Sequence, residues 1–170
     1  MTDLIVLAML ADGPKHGYRL KQDAAIILGQ GELHNNLVYP LLRRFTANKW
    51  VTKERVPGER GQTRQQYAIT ALGRKALLER IRDFGEQDVR SADAFRARVG
   101  FFEMLTADER ELILHVREEF LRPRDERLAR LQESMNLGTY GAEVVSFMRE
   151  QIASELAWIE RLRRLHPTKR

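Results

Sequence analysis

The sequence of 170 residues contains no cysteine. That absence removes disulfide scaffolds, thiolate zinc sites and cysteine nucleophiles. Long apolar runs are also missing. The N-terminal run Leu4–Leu10 falls far short of the roughly 20 residues that a membrane helix needs. Asp3 rather than a basic residue precedes it, so it reads as neither signal peptide nor anchor, and a cytoplasmic protein with no membrane partner is expected. Histidine is sparse and scattered. His16, His34, His115 and His166 form no i, i+4 pair and no HExxH arrangement, so no metal and no other cofactor is expected. Gly58-Glu59-Arg60-Gly61 lacks the Lys-Ser/Thr ending of a phosphate-binding loop, and Ser91, Ser134, Ser146 and Ser154 lack a nucleophile elbow. No catalytic constellation remains, and the chain does not read as an enzyme.

What is present is a core and an uneven charge. Apolar residues make up 43% of the chain, enough to bury one sizeable domain or two small ones. Residues 1–80 carry 13 Lys+Arg against 7 Asp+Glu, whereas residues 81–170 carry 16 against 17. The whole positive excess lies in the N-terminal half, as in an anion-binding lobe joined to a neutral one.

Within that half, residues 35–70 are the most informative. Val38, Leu41, Leu42 and Phe45 recur at three- and four-residue intervals and predict the buried face of a short helix. Asn36, Tyr39, Pro40 and Arg43 share the opposite face, with Arg44 beside it. Amide, phenol and guanidinium groups on an exposed helix are suited to base edges and phosphates. An Asn35-Asn36 pair caps this helix. Strands are expected at about Val51–Val56 and Arg64–Ile69, joined by a loop with Arg60 and Arg64 at its edges, and Trp50 is expected to anchor the hairpin. Arg60 and Arg64 read either as phosphate contacts or as loose surface charge, and Tyr18 either reaches a phosphate or packs in the core.

Upstream, one helix is expected from Thr2 or Asp3 to Asp12-Gly13-Pro14, and a second from near His16-Gly17-Tyr18 through Leu28 to Gly29-Gln30-Gly31. A fourth, capped by Thr70, should reach about Phe84. The fold class is therefore mainly α with a small β-hairpin wing: an N-terminal winged helix-turn-helix over residues 1–84 and a C-terminal helical domain over residues 93–170. Gly85–Asp93 reads as a linker, followed by a short helix from Asp93 to Met104. Thr106-Ala107-Asp108-Glu109 is a capping box opening a long helix that Pro123 should kink or split. After a turn at Leu137–Gly141, the last helix places Val145, Met148, Ile152, Leu156, Ile159 and Leu162 at near-heptad spacing, a stripe that a second copy of the chain could bury.

Several of these motifs together resemble the PadR family of bacterial transcriptional regulators. Leu7-Ala8-Met9-Leu10, Gly13-Pro14 and His16-Gly17-Tyr18 are similar to its opening, and Val38-Tyr39-Pro40-Leu41-Leu42-Arg43-Arg44-Phe45 to its "LYPxLxRL" segment. Gly61–Arg64, Tyr67-Ala68-Ile69-Thr70 and Gly73-Arg74 resemble its wing and "YxIT..G" ending. The resemblance covers about residues 4–80. Two departures stand out: Asn35-Asn36 replace small residues, and Lys49 replaces a common Gly before Trp50, with Asn48 expected to take the left-handed turn conformation.

The resemblance implies a homodimeric regulator, most simply a repressor, of double-stranded operator DNA, and the residues read above as its DNA contacts are Tyr18, Asn35, Asn36, Tyr39, Arg43, Arg44, Arg60 and Arg64. It also implies release by a small aromatic effector such as a phenolic acid, for which Phe101, Phe102, His115 and Trp158 are the candidates. Two rivals stay open on the residues alone: a winged-helix module for an acidic protein partner, and a small-molecule-binding helical protein without DNA function.

Overall fold

A computed structural model describes residues 1–27, 35–57 and 63–165, and the side chains of Asn35 and Asn36 lie outside the description. Leu28, the Gly29-Gln30-Gly31 stop and the wing loop with Arg60 therefore fall outside the described residues. The chain is mostly helical with one small antiparallel sheet, and it divides into two units. The first comprises Met1–Asp83 with Arg96–Met104, and the second Phe84–Phe95 with Leu105–Arg170.

In the first unit, α1 (Thr2–Ala11) packs on α2 (Gly17–Ile27), α4 (Ala71–Arg82) and the sheet. Leu4 through Leu10 are all buried, as suits a helix apolar nearly all round. Between α2 and the sheet lies α3 (Asn35–Ala47), which runs without a break through Pro40. The strands are β1 (Lys15–His16), β2 (Val51–Pro57) and β3 (Thr63–Ile69) in the order β1-β3-β2. β2 and β3 form the expected hairpin, in register from Val51 opposite Ile69 to Pro57 opposite Thr63. The third strand was not expected: Lys15 pairs with Tyr67 and His16 with Gln66. Two residues carry no period, and their pairing lies far away along the chain.

The end of α3 is fixed by backbone chemistry. The Trp50 amide donates to the Phe45 carbonyl at 2.9 Å and the Lys49 amide to Thr46 at 3.0 Å, a Schellman closure. Lys49 itself takes the left-handed conformation, φ 59°, so the expectation for Asn48 is corrected by one residue. Phe45 and Trp50 then meet with ring centroids 5.7 Å apart, the apolar contact that accompanies this motif. Arg80 from α4 lies over the other ring of the pair, 4.4 Å from the Trp50 centroid. Thr70 caps α4 by accepting from the Gly73 amide at 3.0 Å while donating to the Lys49 carbonyl at 2.8 Å. Gly73 has no substitute here, since a Cβ would stand 2.1 Å from the Trp50 carbonyl oxygen.

The second unit is an antiparallel pair of long helices, α7 (Ala107–Ser134) and α8 (Gly138–Leu165), with the short α5 (Glu86–Arg90) against α7. α5 occupies part of the stretch expected as a linker. The following α6 (Ala92–Val99) stops earlier than expected, and Phe102–Met104 is a separate 3-10 turn. The capping box forms: Thr106 Oγ1 accepts from the Glu109 amide at 3.3 Å, and the Glu109 carboxylate accepts from Thr106 at 2.9 Å. Pro123 does not split α7, which continues through it. One missing hydrogen bond is outweighed by a helix held along its length by α8.

Ionic contacts tie the pair together. The buried Arg117 guanidinium makes a two-pronged contact with Glu155 at 2.7 and 3.0 Å, donates to the Val89 carbonyl, and lies over the rings of Phe95 and Phe120. Arg163 reaches both Glu111 and Glu118, and Arg149 pairs with Asp125 at 3.0 Å. Among the described residues no helix is long and apolar enough to cross a membrane.

Candidate nucleic-acid interface

The apolar face of α3 is built as the periodicity predicts: Val38, Leu42 and Phe45 are fully buried, and Leu41 partly so. This leaves Pro40, Arg43 and Arg44 exposed and Tyr39 half-buried at the edge. A depression of about 720 Å³ opens beside Tyr39 between α2, α3 and the sheet. Tyr18, Tyr39 and Arg64 all line it, so three of the residues singled out in the sequence converge although 46 positions separate the outermost two.

Gly17 lies close under two of the rings at this depression. A Cβ there would stand 3.1 Å from Cε1 of Tyr39 and 3.2 Å from Cε2 of Tyr67, so with any side chain at this position both rings would have to give by a few tenths of an ångström. Tyr67 is buried at the floor, and its hydroxyl donates to Gln65 Oε1 at 3.3 Å. Burial pushes the Tyr67 phenol above its ordinary pKa, Tyr39 adds to the rise, and the Arg43 charge opposes it. That opposition brings Arg43 within electrostatic range of the same depression. His16 contacts the Gln65 carbonyl through Nδ1 at 3.3 Å.

The remaining predicted contacts are placed differently. Arg44 is 3.6 Å from Asp3 at the start of α1, which also receives Arg80 at 3.3 Å. Burial alone would raise the Asp3 pKa, but the amino-terminal charge, Arg80 and the Leu4 amide outweigh it and hold the carboxyl below its ordinary value. Asn35 and Asn36 open α3 through their backbone, and Arg60 lies outside the described residues. Of the effector candidates, Phe101 and Phe102 belong to the first unit and His115 and Trp158 to the second. His115 is exposed, and Trp158 is half-buried and meets Phe95 edge-on at 5.6 Å. Of the predicted dimer stripe, Val145, Ile152 and Ile159 are buried within the single chain, and Met148, Leu156 and Leu162 partly so. His16, Gly17, Gln22 and Tyr67 were not singled out as contact residues in the sequence. Only the Tyr18-to-Gln22 spacing of four on one helix could have drawn attention to any of them.

Comparison with known proteins bears on the same region. Residues 6–79 match the model of the Transcriptional regulator PadR-like family. Among solved structures, the chain is 31% identical to a putative transcriptional regulator from Thermoplasma acidophilum, with 46% of this chain and 72% of that one covered and a TM-score of 0.41. A transcriptional regulator from Clostridium thermocellum is 24% identical, covering 45% and 75%, with a TM-score of 0.41. PadR from Bacillus subtilis, solved in complex with operator DNA, is 17% identical over 96% of this chain and 97% of its own, with a TM-score of 0.44. The search of curated proteins finds no match. Residues 6–79 take in α2, α3 and the strands β1, β2 and β3, and with that match this chain belongs to the PadR-like family and is a DNA-binding regulator of transcription, not an enzyme.

Proposed function

We propose that this regulator is a cytoplasmic, homodimeric repressor that holds a pseudo-palindromic operator and releases it on binding a small aromatic effector, a phenolic acid being one such molecule. The observation that carries the operator reading is the depression shared by Tyr18, Tyr39 and Arg64 beside the exposed Arg43. In this reading residues 1–84 bind DNA and residues 93–170 serve dimerisation and effector binding. α3 enters the major groove with Asn35, Asn36, Tyr39 and Arg43, flanked by Arg44. Arg60 and Arg64 follow the backbone along the minor groove. Twofold symmetry then sets the half-sites about 34–36 Å apart or a multiple of that.

The dimer contact is assigned to the second unit. Tyr140, Val144 and Phe147 stand three and four residues apart on one face of α8, and all three are exposed. An apolar face of this kind supports association. The effector acts by linkage: preferring a dimer geometry in which the reading helices miss their half-sites, it lowers DNA affinity by its differential affinity for that state.

A gel shift on the DNA upstream of the protein's own coding region, repeated across salt concentrations, tests the reading. Specific binding with a steep salt slope is expected. Arg43→Ala should cost about 1–3 kcal/mol and relax specificity at one base pair. Unchanged binding of that variant to both operator and random DNA removes Arg43 from the contact, and a complete lack of a specific shift overturns the operator reading.

A further inference from the structure

Tyr18 and Gln22 stand one turn apart on α2, and both line the depression beside α3. The Gln22 side-chain amide donates a 2.8 Å hydrogen bond to the Tyr18 hydroxyl oxygen. The direction of this bond has a consequence. A phenol oxygen that accepts still has a proton of its own to give. Among the described residues, the bond from Gln22 is the only hydrogen bond that the Tyr18 phenol makes, and the residue is 64% exposed. Accepting a bond also polarises the O–H and makes it a better donor. The Arg19 guanidinium, which could otherwise compete for the same partner, is directed to Asp23 at 3.0 Å.

We propose that Gln22 is a positioning residue for DNA binding, holding the Tyr18 phenol with its proton turned outward onto a backbone phosphate oxygen. The ligand follows from the polarity. Base edges in the major groove mix donors with acceptors, whereas a phosphate offers acceptors only. A side chain locked as a donor therefore matches the phosphate at any sequence and carries no base preference of its own. The contact is neutral, so it releases no counterion and adds nothing to the salt slope, unlike an Arg or Lys on the same backbone. The inference rests on the DNA-facing reading of Tyr18 given above.

A double-mutant cycle in the full chain tests it, using Tyr18→Phe, Gln22→Met and the double variant. Affinities are measured for a duplex from upstream of the coding region and for a random duplex of equal length, each across a range of salt. Both single variants should weaken both duplexes by a common factor of roughly three to ten, with the salt slope unchanged. Gln22→Met should add nothing once Tyr18 is Phe. A role confined to helix stability would instead lower the melting temperature of every Gln22 variant and leave the two losses additive. Full affinity in Gln22→Met alongside a loss in Tyr18→Phe overturns the role of Gln22 and leaves the Tyr18 contact standing. Full affinity in Tyr18→Phe overturns both. A flattened salt slope in Gln22→Met also overturns the proposal, because it reports a lost cation rather than a misdirected phenol.

Discussion

Lys49 occupies a backbone conformation that costs an L-residue about 1–2 kcal/mol, and it does so at the end of α3, with φ at 59°. Glycine bears no such cost but loses more chain entropy on folding. Lys49→Gly should therefore stabilise the chain by a net ~0.5–1 kcal/mol, read from urea unfolding, with the exposed side chains of α3 untouched. The sequence makes the turn itself legible, because α3 has to stop before Trp50. It does not say which residue turns: Asn48 is the better left-handed residue by type, and only the pair of closing hydrogen bonds selects Lys49. Gly73 is illegible for a similar reason. Its requirement arises from the Trp50 carbonyl, 23 positions away, and no local pattern reports a distant oxygen.

At the scale of elements, long periodic helices and local caps can be read from the sequence, and non-local contacts cannot. The buried face of α3, the capping box of α7 and the β2–β3 hairpin all follow from spacing within a few residues. β1 exists only because β3 offers it an edge, and the cross-helix ionic network exists only because α7 and α8 lie side by side. Glu118 is the node of that network. Burial would raise its pKa, but hydrogen bonds from Arg163 and Arg122 prevail and lower it from an ordinary 4.5. A carboxyl with a folded-state pKa below its unfolded one contributes stability above the unfolded value and loses it as pH falls through the folded value. Acid should thus weaken the fold below about pH 4.5. Glu118→Gln should be less stable at pH 7 and should lose less between pH 7 and pH 3, as measured by denaturant titration at each pH. A slope as steep as that of the unaltered chain would remove Glu118 from the acid response.

For the molecule as a whole, charge and apolarity are segregated along the chain. The basic excess lies in residues 1–80, while the most exposed large apolar side chain among the described residues, Tyr140 at 88%, belongs to the nearly neutral remainder. In the proposed dimer, DNA attraction and self-association can therefore be altered separately. Replacing Tyr140 and Phe147 together by Asp should weaken self-association at least about 30-fold, if two desolvated aromatics contribute about 1–2 kcal/mol each. Sedimentation would then report a monomer with an unchanged circular dichroism spectrum, and an intact dimer would move the contact elsewhere on the chain. The predicted stripe at Val145, Ile152 and Ile159 shows the limit of a single-chain reading. Heptad spacing indicates that a face will be covered, but a neighbouring helix of the same chain satisfies it as well as a second copy does.

The closure at Lys49 and Trp50 bears on how such a regulator could let go of DNA. Thr70 hooks the same two residues to the start of α4, and the hairpin begins one residue after Trp50. α3 and the wing are thus stitched at a common seam, which opposes any tilt of α3 independent of the hairpin. Release would then be a matter of stride, a change in the step between two rigid readers. A pair of this kind should tolerate many base changes between its half-sites and few changes in their separation.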